Sequence, residues 1–137
     1  MRFLVDTNTL SEPAKPAPDR RVLSKLMLHA GRIVTASLCV HELMFGAERL
    51  PPGARRREYE QFVADLLRSL TVLPYDVSAA AWHAKERARL ARQGRIPPFV
   101  DGQIAAIATT NELVLVTKNT ADFRHFKEVR VENWARP

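Results

Sequence analysis

The chain has 137 residues, 46% hydrophobic and 26% charged, the proportions of one ordinary water-soluble domain with enough apolar mass for its own core. Its single cysteine, Cys39, excludes an internal disulfide and suits a reducing compartment, and no apolar run approaches the ~20 residues of a membrane span. A net charge of +6 favours polyanionic partners without naming one.

In the opening MRFLVDTNTL the apolar run is too short for a secretory signal, so a cytoplasmic location is expected. Phe3-Leu4-Val5 reads as a buried strand, ended abruptly by Asp6, and Thr7 to Leu10 as a helical turn. The proline-rich stretch Glu12 to Pro18 reads as a loop. Asp19 is placed to cap a helix from Arg20 to about Ala30, in which Val22, Leu23, Leu26 and Met27 recur at helical spacing and which Gly31 stops. Ile33 to Ala36 is a second strand. Ser37 is expected to cap a helix reaching about Leu50, with Leu38, Leu43, Met44 and Ala47 as its apolar face.

Pro51-Pro52-Gly53 breaks the chain before a long helix, about Ala54 to Leu70, with Tyr59, Phe62, Val63, Leu66 and Leu67 on one side. Thr71 to Leu73 is a third strand, closed by Pro74. Ser78 to Gln93 is helical and Gly94 ends it. After the loop Arg95 to Pro98, Asp101 stands where a helix begins, and Ile104, Ala105, Ile107 and Ala108 form that helix's buried stripe. Leu113 to Val116 is a strongly apolar strand, Thr117 to Asp122 a polar turn, and Val129 to Val131 a final edge strand. Strands alternate with helices from end to end, which argues for one α/β domain over residues 1–137, with a parallel sheet covered on both faces.

Ligands of such a sheet bind beyond the carboxyl ends of its strands. Asp6 directly follows the first strand, and Thr117, Asn119 and Asp122 follow the Leu113–Val116 strand in the same sense. For Asp101 the plain reading is a helix cap, and for Glu42 an exposed position beside a buried stripe. Carboxylates gathered in one pocket repel each other, a cost that a divalent cation removes. Hard oxygen ligands point to Mg²⁺ or Mn²⁺, and an acidic pocket in a basic chain suits a phosphodiesterase.

Four stretches, in this order, resemble the PIN-domain family: V-D-T-N at Val5–Asn8, H-E-L-x-F-G-A at His41–Ala47, D-G-Q-I-A-A-I-A at Asp101–Ala108 and T-K-N-T-A-D-F at Thr117–Phe123. The similarity is to VapC-type toxins, including the FitB-like branch. The resemblance implies a three-layer α/β/α fold with a central parallel sheet of about five strands. It implies an Mg²⁺- or Mn²⁺-dependent endoribonuclease that hydrolyses RNA, transfer RNA being plausible, by metal-activated water. It also implies a homodimer, a co-encoded VapB-type antitoxin, and contact with operator DNA only through the antitoxin complex. Carried onto this chain, Asp6 and Asp101 are metal ligands, with Glu42 and Asp122 acting directly or through water. Some relatives place the fourth acid where this chain has Asn119, which carries no charge, so Asp122 is favoured. Asn8, Thr117 and Asn119 would support by hydrogen bonding.

Lys118, Arg124 and Lys127, with His125, are the expected phosphate contacts, although a solvated role is the plain alternative for each. Arg55-Arg56-Arg57 and the group Arg87, Arg89, Arg92 and Arg95 read as solvated faces. The four histidines show no metal-ligand spacing, and Cys39, Trp82 and Trp134 read as packing residues. Two rival readings remain. One is a non-catalytic nucleic-acid-binding module of the same fold. The other is a haloacid-dehalogenase-like phosphatase, faintly suggested by Asp6-Thr7-Asn8-Thr9, in which Asn8 replaces the second acid of that motif.

Overall fold

A computed structural model describes residues 1–135. Its strands are β1 Phe3–Val5, β2 Ile33–Ala36, β3 Thr71–Leu73, β4 Val114–Val116 and β5 Val131–Glu132. All neighbouring pairs are parallel, in the order β3-β2-β1-β4-β5. The helices are α1 Thr7–Leu10, α2 Arg20–Leu28, α3 Ser37–Glu48, α4 Ala54–Ser69, α5 Val77–Arg92 and α6 Phe99–Thr110.

The period of two along each strand sorts the core into two layers. Leu4, Val34 and Leu115 face one cluster with Ala79 and Leu90 of α5 and Ile104 to Ala108 of α6. Phe3, Val5, Ile33, Val114 and Val116 face the other, with Leu43 of α3 and Val63 of α4. The central strands β1 and β4 are buried at every position, as continuous apolar runs in a covered parallel sheet should be. The five-stranded sheet with helices on both faces is the expected fold.

Several local expectations need correction. Ser37 is the first residue of α3 and does not cap it; Ala36 holds the cap position and no side chain bonds there. Asp76, unremarked in the sequence, caps α5 by accepting from the Ala79 N–H at 2.9 Å. The helix after Asp19 ends at Leu28, and its Met27 lies exposed, as does Met44 on α3. Helical spacing marks a stripe but cannot say how wide a face the core covers. The last strand runs over Val131–Glu132, starting two residues and ending one residue later than expected, with Leu115 paired to Val131.

The largest correction concerns Glu12. The proline-rich stretch begins with a short 3₁₀ turn, Glu12–Ala14, and Glu12 is 2% exposed. Its carboxylate pairs with the Lys118 ammonium, with Lys15 at 3.2 Å, and accepts the Asp19 N–H at 3.1 Å. Burial opposes ionisation of Glu12, but the hydrogen bonds from Lys118, Asp19 and Lys15 outweigh it and hold the carboxyl at about 2. Lys118 is therefore engaged by Glu12, with a quarter of its side chain still reaching solvent.

Candidate active site

Asp6, Glu42, Asp101 and Asp122 line one cleft of about 80 Å³, together with Thr7, Asn8, Thr117 and Asn119. The topology explains the convergence. β1 and β4 are neighbours, so the residues following them emerge side by side at the carboxyl edge of the sheet. The Asp6 N–H donates to the Val116 carbonyl at 3.0 Å, and the Thr117 N–H donates to the Glu132 carbonyl at 3.0 Å. These bonds extend the ladder by one residue beyond each strand and fix where both side chains start.

Asp6 also caps α1, accepting the Thr9 N–H on Oδ1 at 3.1 Å. Asp101 lies within the first turn of α6, whose cap position is Pro98, and no side chain caps that helix. The cap reading of Asp101 is thus replaced: its carboxylate is left for the cleft. Glu42 projects from α3 on the solvent side of the buried Leu43. Asp122 comes from the 3₁₀ turn Thr120–Phe123. In the loop before it, the Thr117 hydroxyl accepts the Asn119 N–H at 3.1 Å, ordering the turn that carries the acid.

The acids feel one another. Burial, and then the charges of Asp122, Glu42 and Asp6, push the Asp101 carboxyl upward. Burial and Asp6 do the same for Glu42, with His41 opposing. Among the described residues no three carboxylates are drawn together into a ready-made direct ligand set. The donor set still fits Mg²⁺ or Mn²⁺: it is wholly oxygen, and Mg²⁺ keeps several waters while taking one or two carboxylates.

A raised carboxyl weakens the fold as pH climbs from the ordinary carboxylate range through the raised value, because the ionised form is the one the fold disfavours. Asp101→Asn removes that charge. Its melting temperature at pH 7, read without divalent metal, is expected to exceed the wild type by a few degrees, the size of a favourable charge change of about 0.5–2 kcal/mol. A lower value would show that Asp101 stabilises the fold.

Gly102, beside Asp101, was missed by the sequence reading as a packing position. A Cβ there would enter contact distance of the His83 ring, 2.8 Å from Cδ2 and 3.2 Å from Cε1. His83 is buried, bonded through Nδ1 to the Tyr75 hydroxyl at 2.8 Å, and packed on Phe99. The ring cannot retreat cheaply. Gly102→Ala gains helix propensity but overpacks, and a net loss of about 1–3 kcal/mol is expected in denaturant unfolding. A double-mutant cycle with His83→Ala should show the two substitutions coupled, and strict additivity would refute the clash. The visible signal was a glycine in the first turn of an otherwise apolar helix. Thr7, Ile104 and Phe123 also line the cleft without having been singled out.

A family model described as PIN domain matches residues 3–129. The chain belongs to the PIN-domain family. It is 35% identical to the tRNA(fMet)-specific endonuclease VapC of Shigella flexneri, over 98% of this chain and 99% of that protein. It is 32% identical to the toxin FitB of Neisseria gonorrhoeae, over 88% of this chain and 90% of that one. Among solved structures, FitAcB from Neisseria gonorrhoeae superposes with a TM-score of 0.91 at 29% identity, over 98% of this chain and 99% of that chain. DNA-bound VapBC from Salmonella typhimurium gives 0.84 at 32% identity, over 98% of both chains. PIN-domain membership removes the haloacid-dehalogenase reading. The other expected phosphate contacts, Arg124 and Lys127, are exposed and do not line the acidic cleft, and the Lys127 N–H donates to Glu86 at 2.9 Å.

Proposed function

We propose that this PIN domain is a VapC-type toxin: an endoribonuclease that hydrolyses RNA phosphodiesters and is restrained by a VapB-type antitoxin. The observation that carries this reading is the meeting of four acids, from four separate stretches of a chain of net charge +6, in one cleft at the carboxyl edge of the sheet. Transfer RNA is the favoured substrate class, since the Shigella flexneri relative is named for it. The antitoxin and operator-DNA assignments draw support from the FitAcB and DNA-bound VapBC structures. DNA would be reached through the antitoxin complex. A homodimer is proposed as well, and the exposed Phe99 and Val100 offer apolar surface for it. No helix among the described residues is long and apolar enough to cross a membrane, and a cytoplasmic location is proposed.

Asp6 and Asp101 would hold Mg²⁺ or Mn²⁺, with Glu42 and Asp122 completing the site directly or through water. When bound, the ion supplies neutralisation of charge developing on the phosphate and acidifies water. The carboxylates of the acid cluster, Glu42 and Asp122 among them, are placed to accept the proton of the attacking water. Water oxygen bonds to phosphorus, the P–O3′ bond breaks, and the products are a 5′-phosphate and a 3′-hydroxyl. Asn8, Thr117 and Asn119 would hold the cleft walls and orient polar groups of the RNA. The test is induction of the chain in cells followed by sequencing of RNA fragment ends. Discrete fragments beginning with 5′-phosphate are expected. Ends carrying 2′,3′-cyclic phosphate would mean attack by the RNA 2′-hydroxyl and would overturn the mechanism.

A further inference from the structure

A second cleft adjoins the acidic one. It encloses about 230 Å³ between the Arg95–Pro98 loop and the turn after β4, and Asp122 lines both clefts. Its walls are apolar at Ile96, Pro97 and Phe126, Arg95 and His125 line it together with the acid Asp122, and Arg124 reaches the His125 ring from just outside it. Arg95 Nη1 donates to His125 Nε2 at 2.8 Å, and Arg124 Nε donates to the same nitrogen at 3.2 Å. A guanidinium only donates, so Nε2 is the acceptor and the ring proton resides on Nδ1.

Two cations thus share one neutral lone pair. Among the described residues neither Arg95 nor Arg124 pairs with a carboxylate. The neighbouring Arg89 differs: Glu86 neutralises it in a two-pronged pair at 2.7 and 2.9 Å, and its second task is to anchor the His125 carbonyl at 2.8 Å. Arg89 and Glu86 therefore build the site, while Arg95 and Arg124 are exposed and have no carboxylate partner among the described residues. Burial and the positive charges of Arg95, Arg124 and Arg89 hold the His125 imidazole below its ordinary range.

We propose that Arg95, Arg124 and His125 form a phosphate subsite that takes the RNA backbone next to the scissile linkage. The proposal rests on the ribonuclease reading and deepens it. A polyanion entering an acidic cleft needs positive charge immediately beside it, and the shared Asp122 wall makes this cleft the next position along a strand. Fork-shaped guanidinium donors match phosphate oxygens, and the apolar wall of Ile96, Pro97 and Phe126 suits the sugar and base face of single-stranded RNA. An acidic segment of a protein partner would also satisfy two arginines, but continuity with the acidic cleft favours the substrate.

The test uses the full chain carrying Asp6→Asn, to bind without cutting, and a fluorescent single-stranded oligoribonucleotide of mixed sequence. Arg95→Gln and Arg124→Gln should each raise Kd about three- to tenfold and lower the slope of log Kd against log salt by about 1. Arg95→Lys should restore the slope, and Arg57→Gln, on α4 across the sheet, should leave both quantities unchanged. Melting curves check that each variant is folded. Unchanged affinity and slope in the two glutamine variants overturn the subsite. Lost antitoxin binding with unaltered RNA binding overturns it in favour of a protein contact. If the wild type cuts RNA and the Asp6→Asn parent binds it, such failures condemn the subsite alone. If the parent binds no RNA and the wild type cuts none, the ribonuclease reading falls with it.

Discussion

Asp6→Asn is expected to lower RNA cleavage on the order of 10³-fold, within the range lost when a charged or proton-transferring catalytic group is removed. The substitution keeps the shape of the side chain and one carbonyl oxygen. Asparagine caps helices as well as aspartate does, so the bond from the Thr9 N–H can persist and the fold should survive. What disappears is one negative charge at the centre of the cleft. The same variant should lose its response to metal. Wild-type protein in a hundredfold excess of Mn²⁺ over its dissociation constant should gain about 2.7 kcal/mol by linkage, which reads as roughly 10 °C in the melting temperature. The variant should gain little. Cleavage within a few-fold of wild type, or an undiminished Mn²⁺ response, would remove Asp6 from the site.

Glu12→Ala is expected to cost about 3 kcal/mol, the lower end for breaking a buried ion pair, and so to lower the melting temperature by roughly 10 °C. Glu12 is almost wholly enclosed, whereas a quarter of the Lys118 side chain still reaches water, which softens the loss. The carboxylate joins the first turn of the chain to the loop after β4 and also accepts the Asp19 N–H. Its removal loosens the loop that leads from Thr117 to Asp122, so cleavage should fall together with stability. The pH dependence has a definite sign. Glu12 is held near 2 in the fold, so its stabilisation is complete above the ordinary carboxylate range and fades as pH falls from about 4.5 towards 2. The variant's stability should therefore decline less steeply than wild type over that interval. Parallel acid-unfolding curves for the two proteins would contradict the assignment.

Much of this was legible before any fold was known. Short apolar runs, Phe3–Val5 before Asp6 and Leu113–Val116 before Thr117, announced buried parallel strands with polar residues at their carboxyl ends, and β1 and β4 do adjoin. The acids of the cleft could be named because strand ends and motif order constrain them. Glu12 could not, because its decisive partner lies 106 residues away and nothing local distinguishes a buried acid from a loop acid. The same holds for Gly102, whose need for a bare α-carbon comes from His83 on another helix. Arg95 read as part of a solvated face because only the folded chain brings it to His125 and Arg124. Met27 and Met44 fell on helical stripes, yet no neighbouring element covers them.

The innermost strand β1 takes β2 as one neighbour and β4 as the other, with Phe3 aligned to Val114. During synthesis the first strand must wait for almost the last one before the sheet can close. A ribosome-bound fragment ending short of β4 has Asp6, Glu42 and Asp101 but neither the bond that seats Asp6 on Val116 nor the turn that brings Asp122. Long-range pairing of this kind delays folding. The four acids of the cleft can therefore meet only after β4 and the turn that follows it have been made.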